Sequence, residues 1–283
     1  MAHIILQAPR LLAADVERLA AVACAEGVQE LGPTAIRLLN VDPSARDEVL
    51  PMAQAAHMDA AWLDAIHRLA DCKLLAMDMD STLINIECID EVADAVGRKA
   101  EVAAITEASM RGELKDFAES LRRRVALLKG VPESALEDVF AQRLRLNPGA
   151  EKLIETARSH GLKTLLVSGG FTFFSERLRR GLMLDQAHAN TLEVVDGVLT
   201  GRVLGDIVDG AAKARHVQAL AQSLGATPEQ IIVMGDGSND LLMMAQAHYS
   251  VAYRAKPVVR AQARFALDVS PLDAVLNWFR RQH

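Results

Sequence analysis

The sequence predicts an α/β fold in which a parallel sheet carries helices on both faces. Three observations lead there. From residue 71 onward, short apolar runs alternate with helical patterns, the signature of a parallel sheet covered by helices. Three of those runs, "KLLAM" (73–77), "KTLLV" (163–167) and "QIIVMG" (230–235), are aliphatic without polar alternation, as expected of strands buried on both faces. Each run is followed or closed by a residue capable of chemistry: Asp78, Ser168 and Asp236. Parallel strands joined by right-handed crossovers point the same way, so their carboxyl ends share one edge and these three residues are expected to meet.

The elements follow in chain order. Residues 1–70 form a small α/β module, with "HIILQA" and "AIRLLN" as strands around a helix from about Asp15 to Gly27. A further helix is expected over about 45–70, and "NVDPSARDE" reads as an internal loop. The module carries no catalytic cluster. The main domain is expected over 71–283, its core formed by 71–85 and 146–283. Between them, 86–145 is rich in Ala, Glu and Arg and has no strand-like run, so it reads as a helical-bundle insertion capping the strand ends. "NPGAEKLIETARSHG" places Asn147 and Pro148 at a helix start and Gly161 past its end. "TLEVVDGVLTGRV" carries Asp196 and Gly197 between apolar runs, a two-residue hairpin signal. "KARHVQALAQSLG" puts Val217, Leu220, Ala221 and Leu224 on one helical face and ends at Gly225. Thr227 and Pro228 then open a short turn before the last of the three strands.

Composition narrows the function. With 283 residues and a 51% hydrophobic fraction the chain can bury a sizeable core, yet no apolar run approaches the roughly 20 residues that span a bilayer. No membrane partner is expected. The start "MAHIILQAPRLLAADVERL" lacks a basic leader, so no secretory signal is expected. Cys24, Cys72 and Cys88 are odd in number and scattered, which argues for a reducing cytoplasm and against a thiolate metal site. A formal charge of −6 disfavours nucleic acid as a partner. An anionic substrate would be held by a few local cations.

The strand ends supply those groups. An Asp at a strand end is often a helix cap or a solvated loop residue. Asp78 and Asp80 differ, because alternate side chains in "DMD" point to one side and repel each other unless a cation intervenes. Hard oxygen donors of this kind suit Mg²⁺. "MGDGSNDLLMM" adds Asp236, Asn239 and Asp240, and "SGGF" sets a hydroxyl and two glycines before a helical start near Thr172, a geometry that presents amides to an anion. Lys213, at the head of its helix, is in this company a candidate phosphate clamp.

Taken together, "DMDST", "VSGGF", "DGAAKA" and "GDGSND", in that order over residues 71–283, resemble the motifs of haloacid dehalogenase (HAD) superfamily phosphatases. The resemblance implies a Rossmann-like HAD core and Mg²⁺-dependent hydrolysis through an aspartyl-phosphate. Asp78 would be the nucleophile and Asp80 the acid and base. The metal would be held by Asp78, Asp236 and the backbone carbonyl of Asp80. Ser168, the Gly169 amide and Lys213 would bind phosphate, with Asp240 orienting Lys213. Similarity in the cap extends this to a substrate bearing an ammonium and a carboxylate, O-phospho-L-serine: Glu87 would receive the ammonium and Arg124 the carboxylate. Met110 and Phe117 would close over it, and Asn239 would add a polar contact. L-Serine and phosphate would be the products, as in the last step of serine biosynthesis. The alternative is phosphatase or phosphotransferase action on another small phosphorylated amino acid or alcohol. Residues 1–70 are similar to the ACT-like regions of longer bacterial members but short, and a homodimer is a further expectation.

Overall fold

A computed structural model describes residues 2–110 and 116–280, with the side chains of Glu107, Ser109 and Met110 outside the description. Two sheets organise the chain. The first part runs β1 (Ala2–Gln7), α1 (Ala13–Val22), β2 (Gly27–Gly32), β3 (Ala35–Val41), α2 (Arg46–Ala55) and β4 (Asp59–Leu63). It forms a four-stranded sheet in the order β2-β3-β1-β4, antiparallel throughout. The second part begins with β5 (Leu74–Met77) and inserts α3 (Cys88–Ala95), α4 (Lys99–Met110), α5 (Phe117–Ala126) and α6 (Ser134–Asp138). It continues through α7 (Ala150–Ser159), β6 (Lys163–Phe171), α8 (Thr172–Gly181), β7 (Gln186–Val195), β8 (Val198–Leu204) and α9 (Gly210–Ser223). β9 (Ile231–Gly235), α10 (Leu241–Met244), β10 (Tyr249–Tyr253), α11 (Pro257–Gln262) and β11 (Phe265–Leu267) complete it.

The larger sheet has the order β11-β10-β9-β5-β6-β7-β8. It is parallel except for the β7–β8 hairpin, whose turn is Asp196 and Gly197, both at positive φ (50° and 74°). That is the backbone an Asp-Gly two-residue turn favours. The three aliphatic runs lie side by side at the centre as β9, β5 and β6, and their alternation decides which face each residue serves. Leu75 and Met77 pack with α7 and α8 residues such as Leu153, Ile154, Phe174 and Leu178. Leu74 and Ala76 pack with Ala212, Val217, Met243 and Val259 on the opposite face.

Three expectations are corrected. The helix foreseen over 45–70 is α2 followed by β4, whose "DAAWL" is short and alanine-rich and so carries little strand signal. The first helix is Ala13–Val22, and residues toward Gly27 lead into β2, an edge strand with three exposed residues in a row. Asn147 does not cap α7: Gly149 precedes that helix at φ 82°, while the Asn147 amide donates to the carbonyls of Thr82 and Ile84 at 2.8 and 3.0 Å. Asn147 thus ties the return of the chain to the turn after β5.

The small sheet packs against the larger unit through one face. In β1, Ile4 and Leu6 face α1 and α2, while Ile5 joins Leu31, Ala61 and Leu63 in the apolar cluster that holds Tyr249, Trp278 and Phe279. Two buried polar groups fix the join. Arg37 donates to the carbonyls of Asn277 and Phe279, both at 3.1 Å, and the Asp59 carboxylate accepts from the amides of Asp268 and Ser270, both at 2.8 Å, and of Val269 at 3.3 Å. Asp59→Ala would leave three amides without their acceptor, and we expect a loss of about 3 kcal/mol in urea unfolding. Asp59→Asn, which keeps one acceptor oxygen, should lose about half of that. An unchanged midpoint in Asp59→Ala would show that the clamp carries no stability.

Candidate active site

β5 ends in a ladder that continues one residue past the strand: the Asp78 amide donates to the Met234 carbonyl at 3.0 Å. Asp78 is therefore carried to the sheet edge while still buried, 5% exposed. The chain then turns sharply over Met79–Leu83, with Asp80 extended and Ser81 left-handed at φ 56°. That turn sends Asp80 toward β6. Its Oδ2 accepts from the Ser168 hydroxyl at 3.4 Å and its Oδ1 from the Cys88 amide at 3.1 Å, while the Ser168 oxygen also accepts from the Gly170 amide at 2.8 Å.

A buried lysine joins the end of β5 to the turn after β9. Asp209 caps α9 by accepting from the Ala212 amide at 2.8 Å, which places Lys213 in the first turn with no solvent exposure. Its Nζ donates to Asp78 Oδ1 at 2.9 Å and to Asp240 Oδ1 at 2.7 Å. Asp240 Oδ2 accepts from the amides of Asp236 and Gly237 at 3.1 and 3.0 Å. This packing needs a glycine at 235, where a Cβ would lie 2.5 Å from Asp240 Oδ2. Thr82 donates to Asp236 Oδ1 at 3.2 Å, linking the first and third strand ends directly.

Asp78, Asp236 and Asp240 each bring a carboxylate oxygen within 4.8 Å of the others. One ammonium does not balance three acids. Burial, then Asp240 and Asp236, push Asp78 above the carboxylate range against the pull of Lys213. Burial first, then Asp240 and Glu87, push Asp236 up to about 7. Burial would lower Lys213, but Asp240 and Asp78 override it and hold the ammonium charged. Both oxygens of Asp240 are committed to Lys213 and the amides. Asp78 and Asp236 are therefore the pair that fits a hard divalent cation.

Above these groups lies a cavity of about 440 Å³. Its walls include Asp78, Asp80, Glu87, Phe117, Arg124, Ser168, Gly169, Asp236 and Asn239, so residues far apart in sequence share one space. Lys213 and Asp240 lie beneath its floor, bonded to the Asp78 end. The Met110 side chain lies outside the described residues. Two larger clefts of about 790 and 740 Å³ lie elsewhere, but neither gathers acids at the strand ends. Size alone would mislead here.

The insertion supplies the roof. Phe117 begins α5, and its ring lies against Gly169, where a Cβ would stand 2.8 Å from the ring tip. Arg124, two turns along α5, is half-buried; burial lowers its pKa, and Glu87, Asp90 and Asp80 oppose that shift. Glu87 lines the cavity and keeps an exposed surface, yet the crowding of protein around its carboxyl, then Asp80, push it up to about 7 against the pull of Ser81 and Lys256. Ser81, Asp90, Ser120 and Lys256 also line the wall and were not anticipated. Ser81 lies inside the "DMDST" motif, whereas Lys256 carries no signal of its own.

The model of haloacid dehalogenase-like hydrolases matches residues 75–245. The chain belongs to that family. Like other haloacid dehalogenase-like hydrolases it is an α/β protein built on a mostly parallel sheet. A domain of unknown function matches residues 4–49. The curated phosphoserine phosphatase of Polaromonas sp. (strain JS666) is 57% identical over 214 residues, 74% of this chain and 91% of its own. A solved structure of a probable phosphoserine phosphatase from Vibrio cholerae, in unliganded form, has a TM-score of 0.83 at 38% identity, covering 98% of this chain and 85% of that one. A phospho-aspartyl intermediate analogue of phosphoserine phosphatase has a TM-score of 0.69 at 37% identity, covering 74% of this chain and 99% of that one. Among the described residues no helix is long and apolar enough to cross a membrane.

The charge imbalance gives a pH signature. An acid whose folded value is raised from 3.8 to about 7, as at Asp236, contributes stability that is present below the unfolded value and lost as pH rises through the folded one. A bound divalent cation opposes that loss. We therefore expect Mg²⁺, compared with EDTA, to raise the unfolding temperature by several degrees at about pH 8 and by little at about pH 5. Asp236→Asn should raise the metal-free midpoint at about pH 8 and remove most of the Mg²⁺ response. Equal increments at both pH values would contradict this electrostatic account.

Proposed function

We propose that this hydrolase converts O-phospho-L-serine and water to L-serine and phosphate through a phosphorylated Asp78, with Mg²⁺ as cofactor. One observation carries the reading. Among the described residues, both hydrogen bonds to the Asp78 carboxylate, from Lys213 at 2.9 Å and the Met79 amide at 2.7 Å, fall on Oδ1. Oδ2 is left without a protein donor, at a cavity that Asp80 also lines. A carboxylate held rigidly by one oxygen, with the other available, is suited to attack phosphorus.

The steps follow from these placements. Asp78 Oδ2 forms the bond to phosphorus as the bond from phosphorus to the seryl oxygen breaks, and Asp80 gives its proton to the departing oxygen. Asp80, now a carboxylate, takes a proton from water as that water attacks phosphorus. Phosphate leaves and Asp78 is restored. Burial raises Asp80 despite its bond from Cys88 and raises Asp78 as well, so the pull of Lys213 and a bound cation would be what keeps Asp78 ionised for attack. The Ser168 hydroxyl, the Gly169 amide and the Lys213 ammonium would meet the phosphoryl oxygens. Mg²⁺, held by Asp78 and Asp236 with the Asp80 carbonyl, would neutralise charge between nucleophile and phosphate.

Substrate choice is assigned to the roof and wall. Glu87 supplies the acid for an ammonium and Arg124 the guanidinium for a carboxylate, with Phe117 and Met110 closing over the carbon chain and Asn239 beside them. The name of the 57% identical relative supports the same substrate. The division into a unit of residues 1–70 and a catalytic unit of 71–283 is part of this proposal.

Phosphate release from phosphoserine should require Mg²⁺ and stop with EDTA. Asp78→Asn should lower kcat by about 10⁴ with an unchanged fold, since a neutral amide is a far poorer nucleophile than a carboxylate. Arg124→Ala should act on KM, raising it about 10- to 100-fold. Substantial turnover by Asp78→Asn would refute the covalent route.

A further inference from the structure

Glu87 occupies the position before the first turn of α3, where a side chain ordinarily folds back to accept from the helix's leading amides. It makes no such bond. The Ser81 hydroxyl instead donates to Glu87 Oε1 at 2.7 Å. Among the described residues it is the only hydrogen-bond donor to that carboxylate. Ser81 is itself held in an unusual state: its backbone is left-handed (φ 56°, ψ −5°), a region unfavourable to any residue with a Cβ. Its amide donates to the Ile86 carbonyl at 3.2 Å, so residues 81–87 are tied by one main-chain and one side-chain bond. Both Ser81 and Glu87 face the cavity.

We propose that Ser81 is the positioning residue for amine recognition: its hydroxyl fixes Glu87 Oε1 and thereby turns Oε2 toward the ammonium of the substrate. The inference rests on the phosphoserine reading above. A free glutamate side chain samples many rotamers and must lose them on binding. Here that loss is incurred on folding, because the turn that follows the nucleophile also aims the acid that selects the substrate. An ordinary loop serine would only satisfy its own hydroxyl and would leave selectivity unaffected.

The test compares two esters, O-phosphoserine and 3-phosphooxypropanoate, the same molecule without its amine. Kinetics are measured on the full chain with Mg²⁺ for the parent protein, Ser81→Ala, Ser81→Gly, Glu87→Gln and the double variant Ser81→Ala/Glu87→Gln. The parent is expected to prefer phosphoserine, and Ser81→Ala and Ser81→Gly are each expected to reduce the ratio of the two kcat/KM values about tenfold. The change should lie in KM for phosphoserine rather than in kcat. Ser81→Ala should add nothing to Glu87→Gln in the double variant, since the hydroxyl acts only through that carboxylate. Glycine removes the hydroxyl while accepting the left-handed backbone, so a loss common to both variants is not a folding defect. If the parent prefers phosphoserine and both Ser81 variants keep the full preference, this inference fails alone. If the parent shows no preference, the substrate reading fails and takes this inference with it.

Discussion

The ammonium of Lys213 is the point on which the sheet edge depends. It is fully buried and bonded to carboxylates that arrive on different strands. Without it, Asp78 and Asp240 would face each other across a few ångströms in a poorly solvated space. Removing one member of a buried ion pair typically costs about 3–5 kcal/mol, because the charge left behind is uncompensated. The same contact also orders the chemistry. It occupies one oxygen of Asp78 and, among the described residues, leaves the other without a protein donor, so a bond that serves folding also decides which oxygen is available to a ligand.

The rest of the site is arranged around an excess of negative charge. Three acids and one ammonium share the floor, and the raised values of Asp78 and Asp236 reflect that surplus. A protein selected for stability alone would not gather charges in this way. In the proposed reading a cation would answer the acids, and Lys213 with the amides would answer the phosphate. The helical insertion brings Phe117 and Arg124 to the same cavity, Phe117 against Gly169 and Arg124 within the field of Glu87, Asp90 and Asp80.

Much of this was legible in the sequence, and the reason is physical. Strands buried on both faces must be aliphatic, so β5, β6 and β9 stand out, and a carboxylate at the end of such a run is conspicuous. The Asp196-Gly197 turn was legible because few residue pairs accept positive φ twice in succession. The small sheet was harder. β2 is a polar edge strand and β4 an alanine-rich one, and neither carries the period-2 contrast that marks a half-buried strand. Asn147 showed a different failure: its side chain serves two distant carbonyls, while glycine starts the helix. Ser81 and Lys256 mark the limit for the site. Their positions on the cavity wall come from a left-handed turn and from the start of α11, both properties of the folded chain.

The contact between Phe117 and Gly169 bears on the height of the cavity. The ring meets bare main chain at Gly169 while it also packs against the apolar cluster of the domain. A Cβ at residue 169 would stand 2.8 Å from the ring tip, so any larger residue there would push the ring aside. The headroom over the strand ends is thus set by an atom that glycine does not have.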